Sequence, residues 1–115
     1  LPIFSSNLKD AQDKCKKISA KLPIIKSDLA NNFILSVGRV WVLLGMKRRN
    51  GNMVWFDNTP AELSEGALYS AWNSGEPSNN GNEDCAVLDF HIRKWNDFKC
   101  DHGNKGPYVL CQKMP

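Results

Sequence analysis

Glu76-Pro77-Ser78, then Asn82-Glu83-Asp84-Cys85, then Trp95-Asn96-Asp97: these short runs decide how the chain is read. Carboxylate and carboxamide side chains crowd into them, interrupted by a proline and closed off by Cys85 and Cys100. Carboxylates this close repel one another unless something positive sits between them. A hard cation such as Ca²⁺, which takes about six to eight oxygen ligands, is a natural counter-charge. The cluster therefore points to a metal-assisted binding site.

Working outward, the chain has 115 residues, 42% of them hydrophobic and 23% charged. That is the size and composition of one globular domain with a modest core. No apolar run approaches the roughly 18 residues that span a bilayer, so no membrane span is expected. A net charge of +3 is too small to suggest nucleic acid as a partner. The four cysteines, at 15, 85, 100 and 111, include no Cys-x-x-Cys pair, which argues against structural zinc and thioredoxin-like chemistry. Of the three possible connectivities, Cys15–Cys111 nested around Cys85–Cys100 is adopted as the expectation. In the chain-entropy model such loops contribute about 4.7 and about 3 kcal/mol. Disulfides persist in oxidising compartments, so a secreted, extracellular protein is expected.

Leu1 to Phe4 reads as a short edge strand. Leu8, Ala11, Cys15, Ile18 and Leu22 recur at helical spacing behind a cap at Ser6 or Asn7. A second helix is predicted after Ser27, carrying Leu29, Phe33, Ile34 and Val37 inward and stopping at Gly38. Val40 to Met46 reads as a buried strand, Lys47-Arg48-Arg49-Asn50-Gly51 as a solvated hairpin tip, and Met53 to Phe56 as the return. Residues 57–82 are mostly loop, long enough to need pinning. Cys85–Leu88 and Tyr108–Gln112 read as core strands. Helices first and strands afterwards give an α+β class.

Taken together, Val-Leu-Leu-Gly at 42–45, Trp72, Glu-Pro-Ser at 76–78, Glu83-Asp84-Cys85, Trp95-Asn96-Asp97 and the terminal Cys111-Gln112 resemble the C-type lectin-like domain in its short form. The resemblance covers Phe4 to Cys111 and implies that family's fold, with a single domain over 1–115 and a long calcium-binding loop. Carried over residue by residue, the principal calcium ligands would be Glu76, Ser78, Glu83, Asn96 and Asp97. The resemblance implies a Ca²⁺-dependent carbohydrate-binding lectin, with vicinal sugar hydroxyls completing the metal's shell and hydrogen-bonding to the same side chains. Phe90 and His91, just before Trp95, are candidate additional sugar contacts. The resemblance also implies a cis Glu76-Pro77 bond, a form accessible mainly to X-Pro bonds.

Ser78 departs from the family's mannose-type Glu-Pro-Asn and galactose-type Gln-Pro-Asp, which leaves the monosaccharide class open. A second, auxiliary calcium site is expected to be absent, because Lys47, Arg48 and Arg49 would repel a cation there. Glycans are the expected partners, and homo-oligomerisation would supply avidity. The contrasting possibility is a calcium-independent, protein-binding domain on the same fold. Catalysis is not expected: no serine has a nucleophile-elbow context and His102 has no ligand or triad partner at suitable spacing. Trp41, Trp55, Trp72 and Trp95 read as core.

Overall fold

The computed structural model describes residues 3–37, 40–78, 83–103 and 106–113. Leu1, Pro2, Gly38 and the Asn79–Asn82 run, all used in the sequence reading, lie outside these. In the N-terminal part, strand β1 (Ile3–Phe4) leads into helix α1 (Leu8–Lys16). Asn7 caps that helix by accepting from the Asp10 N–H at 2.8 Å. Ser27 does the same for α2 (Asp28–Ser36), accepting from Ala30 N–H at 3.1 Å.

Strands β2 (Val42–Leu43), β5 (Cys85–Asp89), β6 (Lys94–Phe98) and β7 (Tyr108–Val109) join β1 in a five-stranded sheet, ordered β1-β7-β2-β5-β6. All its pairings are antiparallel except β2 with β7. A separate ribbon pairs β3 (Met46–Arg49) with β4 (Asn52–Trp55) through Asn50-Gly51, whose φ values of 52° and 86° are those a tight hairpin turn requires.

All five residues of β5 are buried, because both sheet faces are covered. Ala86 and Leu88 face one apolar cluster with Met46, Met53, Trp55 and Trp95. Cys85 and Val87 face the other, with Leu8, Ala11 and Cys15 of α1. The nested disulfides Cys15–Cys111 and Cys85–Cys100 form as expected.

Three expectations change. First, α1 ends at Lys16, where the chain turns through Ser19 at φ 57°; Ile18 is half exposed and Leu22 is buried from an extended segment. Second, α2 buries Asn31 and Ile34, while Leu29 (81% exposed) and Phe33 (68%) face outward. Third, the predicted strand at 40–46 is broken at Gly45, where a Cβ would lie 2.9 Å from the Leu22 carbonyl oxygen. Only glycine allows the two backbones to approach this closely.

Candidate functional site

The long segment after β4 is pinned at several points. The Met53 N–H donates to Glu62 Oε2 at 2.6 Å, and the Trp72 indole donates to the Ala61 carbonyl at 2.8 Å. The segment then docks on the free edge of β6: Trp95 N–H donates to Ala71 O at 2.8 Å, and Asn73 N–H to Trp95 O at 2.9 Å. This docking closes a sheet edge that would otherwise be open. It also delivers Glu76 and Ser78 beside Asp97, two residues beyond Trp95 in the strand.

Four of the predicted site residues meet here. Ser78 Oγ lies 3.1 Å from Asp97 Oδ1 and 3.3 Å from Glu83 Oε1. Glu76 Oε2 accepts from the Asp97 N–H at 3.2 Å. The Glu76-Pro77 bond is cis, as the resemblance implied. Burial first, then the hydrogen bond and negative charge of Asp97, push the Glu76 carboxyl up to about 7. Negative charge is therefore crowded at this point of the molecule.

Asn96 is placed differently. It sits between Trp95 and Asp97, both buried, in a strand of alternating burial, so the pleat turns its half-buried amide toward the opposite face. Among the described residues, no hydrogen bond joins it to the other four. Phe90 and His91 lie in the turn between β5 and β6, with ring centroids 3.9 Å apart. Asp97 pairs with Ala86 while that turn follows the Asp89–Lys94 pair, three ladder steps and about 10 Å away. The structure does not bring these two rings into the cluster.

One participant was missed. The sequence reading placed Arg48 in a solvated tip, yet its side chain is only 10% exposed. In β3 the alternation leaves Lys47 and Arg49 outward and turns Arg48 in. Its Nη2 donates to Asp97 Oδ2 at 3.1 Å and to the Glu83 carbonyl at 3.0 Å. Period-two alternation through Met46 was the available signal; an Asn-Gly turn next door outweighed it.

Among the described residues, no three His, Cys, Asp or Glu side chains stand so as to hold a metal on their own. In kind, the donors fit a hard cation: Glu76, Ser78, Glu83 and Asp97 offer oxygen only. In arrangement they are drawn together on Ser78 and Arg48 and not around a common centre.

The family model for the lectin C-type domain matches residues 4–113. A C-type lectin domain family 4 member M from Pan troglodytes is 38% identical over 104 residues, covering 86% of this chain and 22% of its own length. The chain thus spans about a fifth of that relative. The carbohydrate-recognition domain of mouse scavenger receptor C-type lectin superposes with a TM-score of 0.77 at 27% identity, covering 98% of this chain and 88% of that one. A calcium-independent type II antifreeze protein reaches the same TM-score at 18% identity, over 96% of this chain and 80% of its own, a likeness of fold alone.

Proposed function

The chain belongs to the C-type lectin domain family, and on that premise we propose that it binds glycans through one calcium ion held by Glu76, Ser78, Glu83 and Asp97. The family is one of binding domains, not enzymes. The observation that carries the reading is Ser78 Oγ, within hydrogen-bond reach of both Glu83 and Asp97. Oxygen donors from three separated stretches of chain, the long loop, the segment before β5 and β6, thereby share one small volume.

When bound, calcium would supply open coordination positions for a pair of vicinal sugar hydroxyls. The chain's own residues do the rest. Glu76 and Glu83 accept hydrogen bonds from those hydroxyls, and carboxylate acceptors select hydroxyl pairs of matching orientation. Ser78 provides a hydroxyl that both donates and accepts, so its neighbourhood discriminates less by donor type than an amide would. The likeness to a carbohydrate-recognition domain supports the glycan reading. The disulfides support placement in an oxidising, extracellular compartment. A wet, shallow site binds single sugars weakly, and we infer that assembly into multivalent arrays provides useful avidity.

Calorimetric calcium titration, followed by glycan-array binding with and without chelator, tests the proposal. The expected result is one calcium per chain and glycan binding lost in chelator. Asp97→Ala should abolish both. Asn96→Ala should weaken calcium less than Asp97→Ala, given where the pleat puts its amide. Glycan binding that persists in chelator overturns the reading.

One observation favours a second reading, a calcium-independent protein-recognition domain. Asp97 Oδ2 already has a cation, the Arg48 guanidinium, which answers its charge without calcium. In that case neither calcium nor chelator would move the melting temperature, whereas a ligand bound only by the folded state raises it.

A further inference from the structure

Arg48 is fastened to the acidic cluster along its whole length. Its backbone N–H donates to the Asp84 carbonyl at 2.8 Å. Its Nη2 reaches both the Glu83 carbonyl and Asp97 Oδ2. Its Nε lies 3.3 Å from Asp84 Oδ1, an ion-pair distance without the alignment of a hydrogen bond. The Asp97 side chain is fully buried. A buried carboxylate is tolerated only when paired and hydrogen-bonded. A guanidinium suits that duty because it stays charged in proteins and presents several donors in a fixed plane.

We propose that Arg48 is the resident counter-cation of this cluster: in the calcium-free protein it positions Asp97 and ties residues 83–84 to β3, and it limits what a divalent ion can add. The first half stands independently of calcium. The second half rests on the calcium reading given under Proposed function. The physical basis is a division of labour on one carboxylate. Asp97 Oδ2 is engaged by Arg48, while Oδ1 is the oxygen nearer Ser78. A dication arriving at the Ser78 side would meet a carboxylate whose charge is already half answered, with a fixed positive group behind it. Metal binding would then stabilise an already ordered site, and the stabilisation would be small.

The test is a double-mutant cycle on the whole domain, using Arg48→Met, Asp97→Asn and both together. Melting temperatures are read in EGTA and in saturating calcium chloride. In EGTA, R48M should lower the melting temperature by on the order of 10 °C, because it removes the charged partner of a buried carboxylate. Adding D97N to R48M should recover most of that loss. Additive effects of the two substitutions in EGTA overturn the pairing, and that measurement involves no calcium. Should R48M not fold, the double variant decides. It must melt within a few degrees of D97N alone, and a double variant that is equally unfolded also overturns the pairing.

Calcium then separates the two halves. The calcium-induced rise in melting temperature should be larger in R48M than in the wild type. A rise no larger than the wild type's overturns the claim that Arg48 limits the metal. A wild type that does not respond to calcium, beside an R48M that does, supports the role of Arg48 while sinking the calcium reading for the natural protein.

Discussion

Trp95 is gripped from several sides, and each grip has a different physical character. Its ring meets Trp55, Tyr69 and Trp72 edge-on, with centroids 5.3, 5.9 and 5.5 Å away. Edge-to-face pairs of this kind add about 0.5–1.5 kcal/mol beyond their burial. Its indole N–H donates to Asn31 Oδ1 at 2.9 Å, and both residues are buried. Asn31→Leu keeps the branched shape but leaves that N–H without a partner, a penalty of about 1–3 kcal/mol. Urea unfolding should show a lower midpoint with an unchanged slope. An unaltered midpoint would mean the bond is not contributing. Sequence reasoning identified Trp95 as core, with the other three tryptophans, because large aromatics dominate small cores. It could not identify Asn31: a polar residue in a helix reads as solvent-facing until the partner it serves is known. Arg48 escaped for the same reason, since its acceptors lie 35 and 49 positions away.

At the scale of elements, the loop from residue 57 onward was legible as a loop and as one in need of fastening, but its fasteners were not. Local composition marks turns; it does not mark which glutamate or tryptophan reaches a distant backbone group. Entry to the loop is one such fastening. Lys26 Nζ lies 3.0 Å from Asp57 Oδ2, and the Thr59 N–H donates to Asp57 Oδ1 at 3.0 Å. Burial works to raise the Asp57 carboxyl, but the hydrogen bonds from Thr59 and Lys26 outweigh it and hold it below its ordinary value. A pKa lower in the folded than in the unfolded state gives stability that is present above the unfolded value. That stability is lost as pH falls through the folded one. Asp57→Asn should therefore cost stability at pH 7, by under about 1 kcal/mol because the pair is solvent-screened. At pH 3 and below the difference should narrow, and urea midpoints at the two pH values check it. A constant difference would assign the effect to the Thr59 turn alone. The helices illustrate the opposite failure. Apolar spacing located both, yet in α2 Leu29 and Phe33 face outward while Asn31 joins Ile34 inside and accepts from the Trp95 indole. The starts, placed at a cap of Ser6 or Asn7 and after Ser27, were found correctly, with Asn7 and Ser27 as the caps, since capping is decided within four residues.

For the whole molecule, class was readable from the order of elements, the converging acids were legible through the family resemblance, and the nested disulfides were adopted from three possible pairings. Register across the sheet was not legible, and with it went the facing of Asn96 and the distance to Phe90 and His91. The same sheet has a mechanical consequence. Its first and last strands in sequence, β1 and β7, are neighbours, and Cys15–Cys111 links the chain after α1 to the chain just past β7. The acidic cluster belongs to β6 at the far edge, about 19 Å away at the usual strand spacing. Tension applied through the two ends therefore meets the β1–β7 ladder, the bonds of Ser6 and Leu8 to residues 100–103, and α1 before it reaches the covalent link, which then carries it. In an optical trap the oxidised domain should lengthen only by its end segments at forces that unfold ordinary sheets. Reduction should release the 96-residue span between those cysteines, adding about 300 Å of contour length. A binding site carried on a tether would in this way keep its shape while its ligand is pulled.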